Sequence, residues 1–443
     1  MEYYGDPVSL AASAFDFTNN TYSVGGTMTI TGTPEANDPS SLIIQEGAQL
    51  IHESPINATV QNGVSAAPSW TSNVSGGWYF IASPVDDAVI AESILIEPFD
   101  LYKYDEPEAM WYAYNGDGEP FTTMERGIGY LHASQDDQIL AFAGEMIGTE
   151  TEITKTLSYE CTYDDLKGYN LMGNPFTRVL EYGDITLDGE YVTSFTVLAD
   201  DGENYLPCNL FDDDIIRPCQ GFFIQADDEN QDLVFNPSSK YESEIGLISI
   251  KAGNEEFMDK AYIQIGGGNT LRKIAFSDNN MVYVMDGDDD YSAMTIYELA
   301  NPIPVHFVAA EPGTYTITVN AKNIDLDYMH LVDEFTNEHI DLLSEPTYTF
   351  TSAEGDKPGR FTIVFGIDNV GENLVNDVFA YQYEDELVVD GNGTLQIFDV
   401  LGRFVGSHEV HGSERISLSS FNTGVYVLRM VGENVKTQKI VVR

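Results

Sequence analysis

Apolar and polar residues alternate with a period of two along most of the chain, as in Thr314-Tyr315-Thr316-Ile317-Thr318-Val319-Asn320 and Tyr262-Ile263-Gln264-Ile265. Period-two alternation puts one apolar face on a strand, whereas a helix would repeat its apolar positions every three to four residues. The runs are short, rich in β-branched and aromatic residues, and broken by Gly, Asn, Asp and Pro, which mark turns. Helical patterns of ten or more residues are absent, and Tyr163-Asp164-Asp165-Leu166 is long enough for a single turn. The fold class expected is all-β, with tandem sandwich-like domains.

Residues 1–70 are polar and rich in Gly, Thr, Ser and Asn. Ser41-Leu42-Ile43-Ile44-Gln45-Glu46-Gly47-Ala48-Gln49-Leu50 reads as short strand, glycine corner and short strand, the outline of one rung of a right-handed β-helix. An ordinary pair of strands fits the same letters. From residue 71 a tandem duplication is visible. Gly77-Trp78-Tyr79-Phe80-Ile81-Ala82-Ser83-Pro84 returns 91 positions later as Gly168-Tyr169-Asn170-Leu171-Met172-Gly173-Asn174-Pro175. Gly129-Tyr130-Leu131-His132-Ala133-Ser134 returns 92 positions later as Gly221-Phe222-Phe223-Ile224-Gln225-Ala226. Two matches at nearly one offset predict two like units, 71–148 and 149–240, packed as a pseudo-symmetric pair of sheets.

Residues 241–368 show strands at intervals of roughly ten residues, the spacing of an antiparallel sandwich. The run 366–373 breaks the alternation and reads as a linker. Residues 369–443 then form a small Ig-like sandwich with a Gly402-Arg403 hairpin turn, a Gly424 turn before a strong strand, and a basic closing strand.

Charge changes the picture next. The 443 residues carry 20 Lys+Arg against 72 Asp+Glu, a net −52, and such a chain repels nucleic acid and anionic lipid, so neither is an expected partner. With 43% hydrophobic and 12% aromatic residues it still has the apolar surface to fold. Residues 403–443 stand apart, with 6 basic and 3 acidic residues (+3) against 14 and 69 (−55) in residues 1–402, which suggests a segment with its own partner. No apolar stretch reaches the roughly 18 residues of a transmembrane helix.

Candidate chemistry is sparse. Cys161, Cys208 and Cys219 have no Cys-x-x-Cys spacing, leaving free thiols or a Cys208–Cys219 bridge as the two readings. The seven histidines form no His-Glu-x-x-His or His-x-His pair, no Gly-x-Ser-x-Gly elbow is present, and among 72 carboxylates a pair of acids discriminates nothing, so no catalytic residue is assigned and no enzyme is expected. Asp286-Gly287-Asp288-Asp289-Asp290 is the best candidate for a metal: Asp286, Asp288 and Asp290 on a turning loop are oxygen ligands of the kind calcium takes, against the plainer reading of a solvated hairpin turn. Trp111, Tyr112 and Tyr114, flanked by loop residues, are candidate glycan contacts, since ring faces beside polar groups suit sugars; the alternative for them is a core stripe, which is the expectation for Trp78 and Tyr102.

The tail carries the one specific resemblance. Asp399, Gly402 and Arg403 end one strand, Gly424 and Tyr426 open another, and Lys436 and Lys439 stud the last. In order and spacing these residues resemble the C-terminal sorting domain of the type IX secretion system of Bacteroidetes, over about 70 residues, although Val378-Phe379-Ala380-Tyr381 stands where family members commonly carry a Pro-Asn-Pro turn. The resemblance implies a signal peptide for the inner membrane, the type IX machinery as partner, and release from or attachment to the outer cell surface. Since Met1-Glu2-Tyr3-Tyr4-Gly5-Asp6-Pro7 is not a signal peptide, the chain is expected to be the C-terminal part of a longer precursor. The functional expectation is a non-enzymatic secreted or surface protein of adhesin or stalk type that meets host or biofilm glycans or proteins. The alternative is a carbohydrate-binding accessory region of a larger secreted enzyme.

Overall fold

The computed structural model describes residues 2–3, 6–64, 77–94, 97–116, 120–134, 136–199, 202, 204–236, 245–274, 279–287, 289–297, 302–336, 338–352, 359–366, 379–383, 386–399, 403–419, 421–432 and 435–442. Nearly every element in them is a strand; the exceptions are the four-residue helix Ile90–Ser93 and four single 3-10 turns, one of them Asp164–Leu166. The expected linker at 366–373 lies, beyond Gly366, outside the described residues.

The N-terminal segment is the end of a β-helix. Glu2–Tyr3, Tyr22–Val24, Leu42–Ile44 and Ile56–Val64 pair in parallel along one face, and Val8–Ala11, Thr27–Thr31 and Gln49–His52 along another. Val8 stacks on Met28 and Met28 on Leu50, so a rung takes 20 to 22 residues. Parallel stacking repeats the inward position in every rung, which is why Val24, Ile30, Leu42, Ile44 and Leu50 are buried in one core. The last rung would leave an open sheet edge. Gln138–Met146 covers it, antiparallel to Ile56–Val64 along its whole length, so the first repeat unit and the β-helix share a core.

The duplicated units meet through their duplicated motifs. In the first, Met110–Ala113, Phe99–Asp105, Gly129–Ser134 and Tyr79–Ala82 form one antiparallel sheet; in the second, the sheet order is Tyr169–Gly173, Gly221–Gln225, Ser194–Leu198, Tyr205–Asn209. Ile81 bridges Gln220 and Ile128 bridges Met172. These are the same contact made twice, because position 81 corresponds to 172 and 128 to 220, the reciprocity of a two-fold interface. Its hydrogen bonds are paired likewise: Ala82 N donates to Cys219 O (2.8 Å) and Gly173 N to Gly127 O (3.0 Å), with both acceptor residues at positive φ, 60° for Cys219 and 82° for Gly127. The turn that follows each strand also repeats. Ser83 Oγ accepts from Val85 N (3.1 Å), and Asn174 Oδ1 accepts from Phe176 N (2.9 Å).

Backbones approach closely here, and small residues permit it. A Cβ at Gly129 would fall 2.6 Å from Met172 O, and one at Gly173 2.7 Å from Ile128 O, distances at which backbone itself would have to move. Beside them Phe80, Tyr104, Trp111 and Phe223 interlock, with Phe223 edge-on to Phe80 (5.2 Å) and Tyr104 (5.1 Å). Glu106, 3% exposed, adds a polar clamp. From the turn after Phe99–Asp105 its carboxylate accepts from Gly168 N (2.7 Å), Ser158 Oγ (2.7 Å), Glu160 N (2.8 Å) and Cys161 N (3.0 Å) of the second unit. Burial pushes its pKa up, and these four donors outweigh it, holding the carboxyl below its ordinary value.

Residues 246–366 form a single large sheet, running from Glu338–Asp341 at one edge to Thr347–Ser352 at the other. It curls on itself: Ile250, Val284, Val305, Ile317, Leu331 and Phe365 from along its length share one core. The pairing is not purely antiparallel as the spacing predicts, because Met258–Ile265 lies parallel to Asp289–Ile296, with Leu271–Arg272 added off the main path. Among the described residues, three ion pairs are deep in the molecule. Arg360 forks onto Asp333 (2.9 and 2.8 Å), Lys273 meets Asp259, and Arg178 holds Asp184 (2.7 Å).

Two outcomes follow from this packing. Replacing Glu106 with Ala strands the two buried N–H groups of Cys161 and Gly168 between the units and should lower unfolding free energy by about 2–4 kcal/mol, against about 1 kcal/mol or less for Ala in place of the exposed neighbour Glu108, in urea melts at pH 7. His132, fully buried with neither ring nitrogen partnered among the described residues, has its pKa pushed by burial to about 4. The folded state therefore prefers neutral imidazole, so stability is intact above the unfolded value near 6.5 and drains as pH falls from there toward 4, by about 2 kcal/mol at pH 5. His132→Ile, the residue at the equivalent position 224, should flatten that pH dependence; an unchanged slope between pH 7 and 5 would exclude His132 as its source.

Candidate functional site

The tail is built from Ala380–Tyr383, Glu386–Asp399, Phe404–Ser417, Gly424–Val431 and Val435–Val442 in one antiparallel sheet. Leu387, Val389, Leu395, Ile397, Val410, Leu428 and Met430 fill its core. Inside the long strand Glu386–Asp399, Gly391 and Gly393 take φ of 145° and 148°, a break in the pleat that L side chains rarely adopt.

The residues singled out in the sequence make two turns of this sheet. At the first, Asp399 Oδ1 accepts from Arg403 N (2.9 Å), Oδ2 from Arg403 Nε (2.6 Å), and Asp399 N donates to Arg403 O (3.0 Å). One carboxylate thus closes the hairpin and holds the arginine that follows it. Gly402 lies outside the described residues. At the second, Tyr426 donates its hydroxyl to Asn422 O (2.9 Å) across Gly424 and sets its ring edge-on to Phe421 at 5.4 Å. Asp399 pairs with Tyr426 in register, which brings the two turns to the same end of the sheet. Lys436 and Lys439 pair with Met430 and Val427 along the closing strand; the side chain of Lys439 is outside the described set.

The tail rests on the preceding domain through charge. Arg415, held within the tail by Glu386 (3.5 Å), reaches Glu334 of the preceding domain (2.5 Å), and His339 Nδ1 lies 3.2 Å from Asp390 Oδ2. Between the two bodies is a cleft of about 420 Å³ lined by Tyr328, His330, His339, Asp341, Tyr381 and Asp390. Burial lowers the pKa of His330, with Asp341 opposing it.

The other candidates fare differently. Trp111 is packed between Tyr104 (5.1 Å), Phe223 (6.2 Å) and Phe80 (6.4 Å), and Tyr114 stacks on Phe99 at 5.0 Å, so both rings face protein. The pleat turns Tyr112 to the opposite face from Trp111, beside the exposed Met110. Asp286 pairs with Asp289 in a hairpin, Asp290 with Met285, and Asp288 is outside the described residues. The cation beside this turn is Arg272, 3.0 Å from Asp289, and no group of three potential ligands capable of holding a metal occurs among the described residues. Cys161, Cys208 and Cys219 are all free and buried, and burial lifts the Cys208 thiol to about 12, a value at which it is inert.

A second cleft, of about 450 Å³, was not anticipated. It opens where the β-helix end and the two repeat units meet, between Glu46, Gln61 and Asn62 on one side and Trp78, Arg217 and Gln220 on the other. Its residues come from six separated stretches of sequence, so no local pattern announces it.

Comparison with known proteins supports one part of the chain directly. Residues 373–443 match the family described as the secretion system C-terminal sorting domain. No curated protein matches the sequence. Among solved structures, a chain described as "Biofilm associated protein - BSP domain" aligns over 87% of this chain and 95% of its own length, at 9% identity and a TM-score of 0.16.

The geometry separates turn-making from charge in the tail. Asp399→Ala removes an acceptor of a turn N–H and should cost about 1 kcal/mol of tail stability, whereas Arg403→Ala removes only an exposed ion pair and should cost about 0.5 kcal/mol or less. Thermal melts of the two variants check the order; a larger loss for Arg403→Ala would reverse it.

Proposed function

We propose that residues 1–372 are a non-enzymatic body of adhesin or stalk type, carried to the outside of the cell by the sorting domain that follows them. The sorting domain at 373–443 implies export through the type IX machinery to the cell surface or the medium, and it is the observation on which the reading stands. The body itself suits display. Its segments are joined by shared cores and not by bare linkers: one cluster unites the β-helix with the first repeat, and another runs from Phe80 through Phe223 to Tyr262 and Leu271 of the large sheet. Buried polar contacts reinforce the second junction, with Asn209 Nδ2 donating to Ser194 Oγ (2.9 Å) and to Gln264 Oε1 (3.1 Å), and Asn269 Oδ1 accepting from Thr193 N and Ser194 N (both 2.9 Å). A body held this way transmits force and position without hinging at those two joints. Its charge suits an extracellular, well-solvated surface.

Within the tail, the exposed Arg403, three-quarters accessible, is the group available to a recognition partner, while Asp399 and Tyr426 shape the turns that present it. In a bacterium with the type IX machinery, the chain placed behind a signal peptide should appear at the surface or in the medium, and deletion of 373–443 should leave it in the periplasm. Cells displaying it should attach more strongly to host or biofilm matrix than cells lacking it. Surface delivery without the tail would overturn the export reading, and delivery without any gain in attachment would overturn the adhesive one.

A further inference from the structure

The deep ion pairs differ in what they leave unfinished. Arg178 and Arg360 present guanidinium groups, and the carboxylates they meet are filled on both oxygens. Asp184 Oδ1 accepts from Arg178 Nη2 (3.2 Å) and Oδ2 from Arg178 Nη1 (2.7 Å) and Glu181 N (2.9 Å). Asp333 Oδ1 accepts from Arg360 Nε (2.9 Å) and Phe335 N (3.0 Å), and Oδ2 from Arg360 Nη2 (2.8 Å) and the Tyr348 hydroxyl (3.1 Å). The third pair joins an amine to a carboxylate that is only half filled. Lys273 Nζ and Val282 N (2.7 Å) both donate to Asp259 Oδ2, while the buried Oδ1 has no hydrogen-bond partner among the described residues. The side chains of Lys273 and Asp259 are 3% and 1% exposed, so water does not make up the deficit.

Both side chains are fixed at their roots. Asp259 belongs to Met258–Ile265, where it pairs with Ala252 of the neighbouring strand, and Lys273 follows Leu271–Arg272 with its own N–H donated to Asp290 O (2.9 Å). Ala261, Leu271, Ile274 and Val282 around them are buried. The fold therefore holds an amine against a carboxyl group, and reacting groups fixed in this way behave as if at about 10⁵–10⁸ M. In water an ammonium and a carboxylate are favoured over the amide they could form, because both ions are solvated. In a dry interior that solvation has been given up, and the balance moves toward the uncharged product.

We propose that Lys273 and Asp259 join in an intramolecular isopeptide bond. The pair supplies its own acid and base. Two of the three ammonium protons pass to Asp259 Oδ1, the Nζ lone pair bonds to Cγ, the Cγ–Oδ1 bond breaks, and one water leaves. Nothing else enters the balance, and no atom is oxidised or reduced. Charge that builds on Oδ2 during the attack is met by Val282 N, and the same N–H bonds the amide oxygen afterwards. The step removes two buried charges and the one unpartnered oxygen together. The product ties Met258–Ile265 to the segment after Leu271–Arg272 across 13 intervening residues, a cross-link that restricts the unfolded chain as a disulfide would. Such a staple needs no oxidant, and none of the three cysteines takes part in it.

Intact mass spectrometry of the purified, folded full chain tests the bond. The mass should be about 18 Da below that of the sequence, the loss of one water. Trypsin does not cut after a lysine whose Nζ is acylated, so digestion should release residues 252–260 joined to residues 273–322 as one species. Lys273→Arg keeps the cation and cannot form this amide, so it should show the full mass of its own sequence. A wild-type mass equal to that of the sequence overturns the proposal and leaves an ion pair. A water loss located elsewhere, as in a succinimide at Asp286-Gly287, or one that persists in Lys273→Arg, overturns it too. Should that variant fail to fold, the presence or absence of the joined peptide in the wild-type digest decides. None of these readouts depends on delivery or attachment, so failure here is distinct from failure of the proposed function.

Discussion

The close approach of backbone to backbone across the pseudo-two-fold axis is the constraint from which the rest of the body follows. Gly129 sits over Met172 O and Gly173 over Ile128 O, and the reciprocal bridges Ile81 to Gln220 and Ile128 to Met172 leave no room for a side chain between. Once the two sheets are that near, Phe80, Trp111 and Phe223 must interlock and the Glu106 carboxylate must find its donors across the joint. The same approach fixes the Cys219 turn in a left-handed conformation that a non-glycine residue adopts only when its surroundings impose it.

A chain with 72 carboxylates and 20 fixed cations has to choose where its cations go. Several are placed inside. Arg178, Lys273 and Arg360 each meet a carboxylate at a largely dry position, and Arg360 is further flanked by Phe335, Phe350 and Phe361 at 5.0 to 5.2 Å. Leaving any of those carboxylates alone in the interior would be far more costly than leaving a surface carboxylate unpaired, since water solvates the latter. The chain is consequently acidic along most of its length, and residues 403–443, with 6 basic and 3 acidic residues, stand out against it. Arg415 is used to dock the tail on Glu334, and Arg403 is left exposed at a turn that Asp399 holds.

Division of labour along the chain is then simple. The β-helix end and the repeats share cores, the large sheet is fused to the second repeat by apolar and amide contacts, and the tail meets the large sheet through the Arg415–Glu334 ion pair beside a cleft lined by two histidines and two aspartates. An exposed ion pair contributes less than packed aromatics, because water competes for charges and not for buried rings.

Period-two alternation and the 91 to 92 residue offset made the strands and the paired units legible from the residues alone, because strand formation and internal repetition are local properties of the chain, whereas the β-helix rung was one of two readings of the same letters. The tail's Asp399, Arg403 and Tyr426 were legible through their resemblance to a sorting domain, and the turns they make are closed by contacts only four residues long. Trp111 could not be assigned to core or surface from its neighbours, since the Phe80 and Phe223 rings that enclose it come from 31 and 112 positions away. The parallel pairing of Met258–Ile265 with Asp289–Ile296, the transfer of Gln138–Met146 to the β-helix edge, and the cleft at Trp78 likewise belong to tertiary structure alone. Sequence by itself determined which residues extend and which way each strand faces, through alternation and turn chemistry. Which edges are covered was decided only when distant segments competed to bury the same apolar faces.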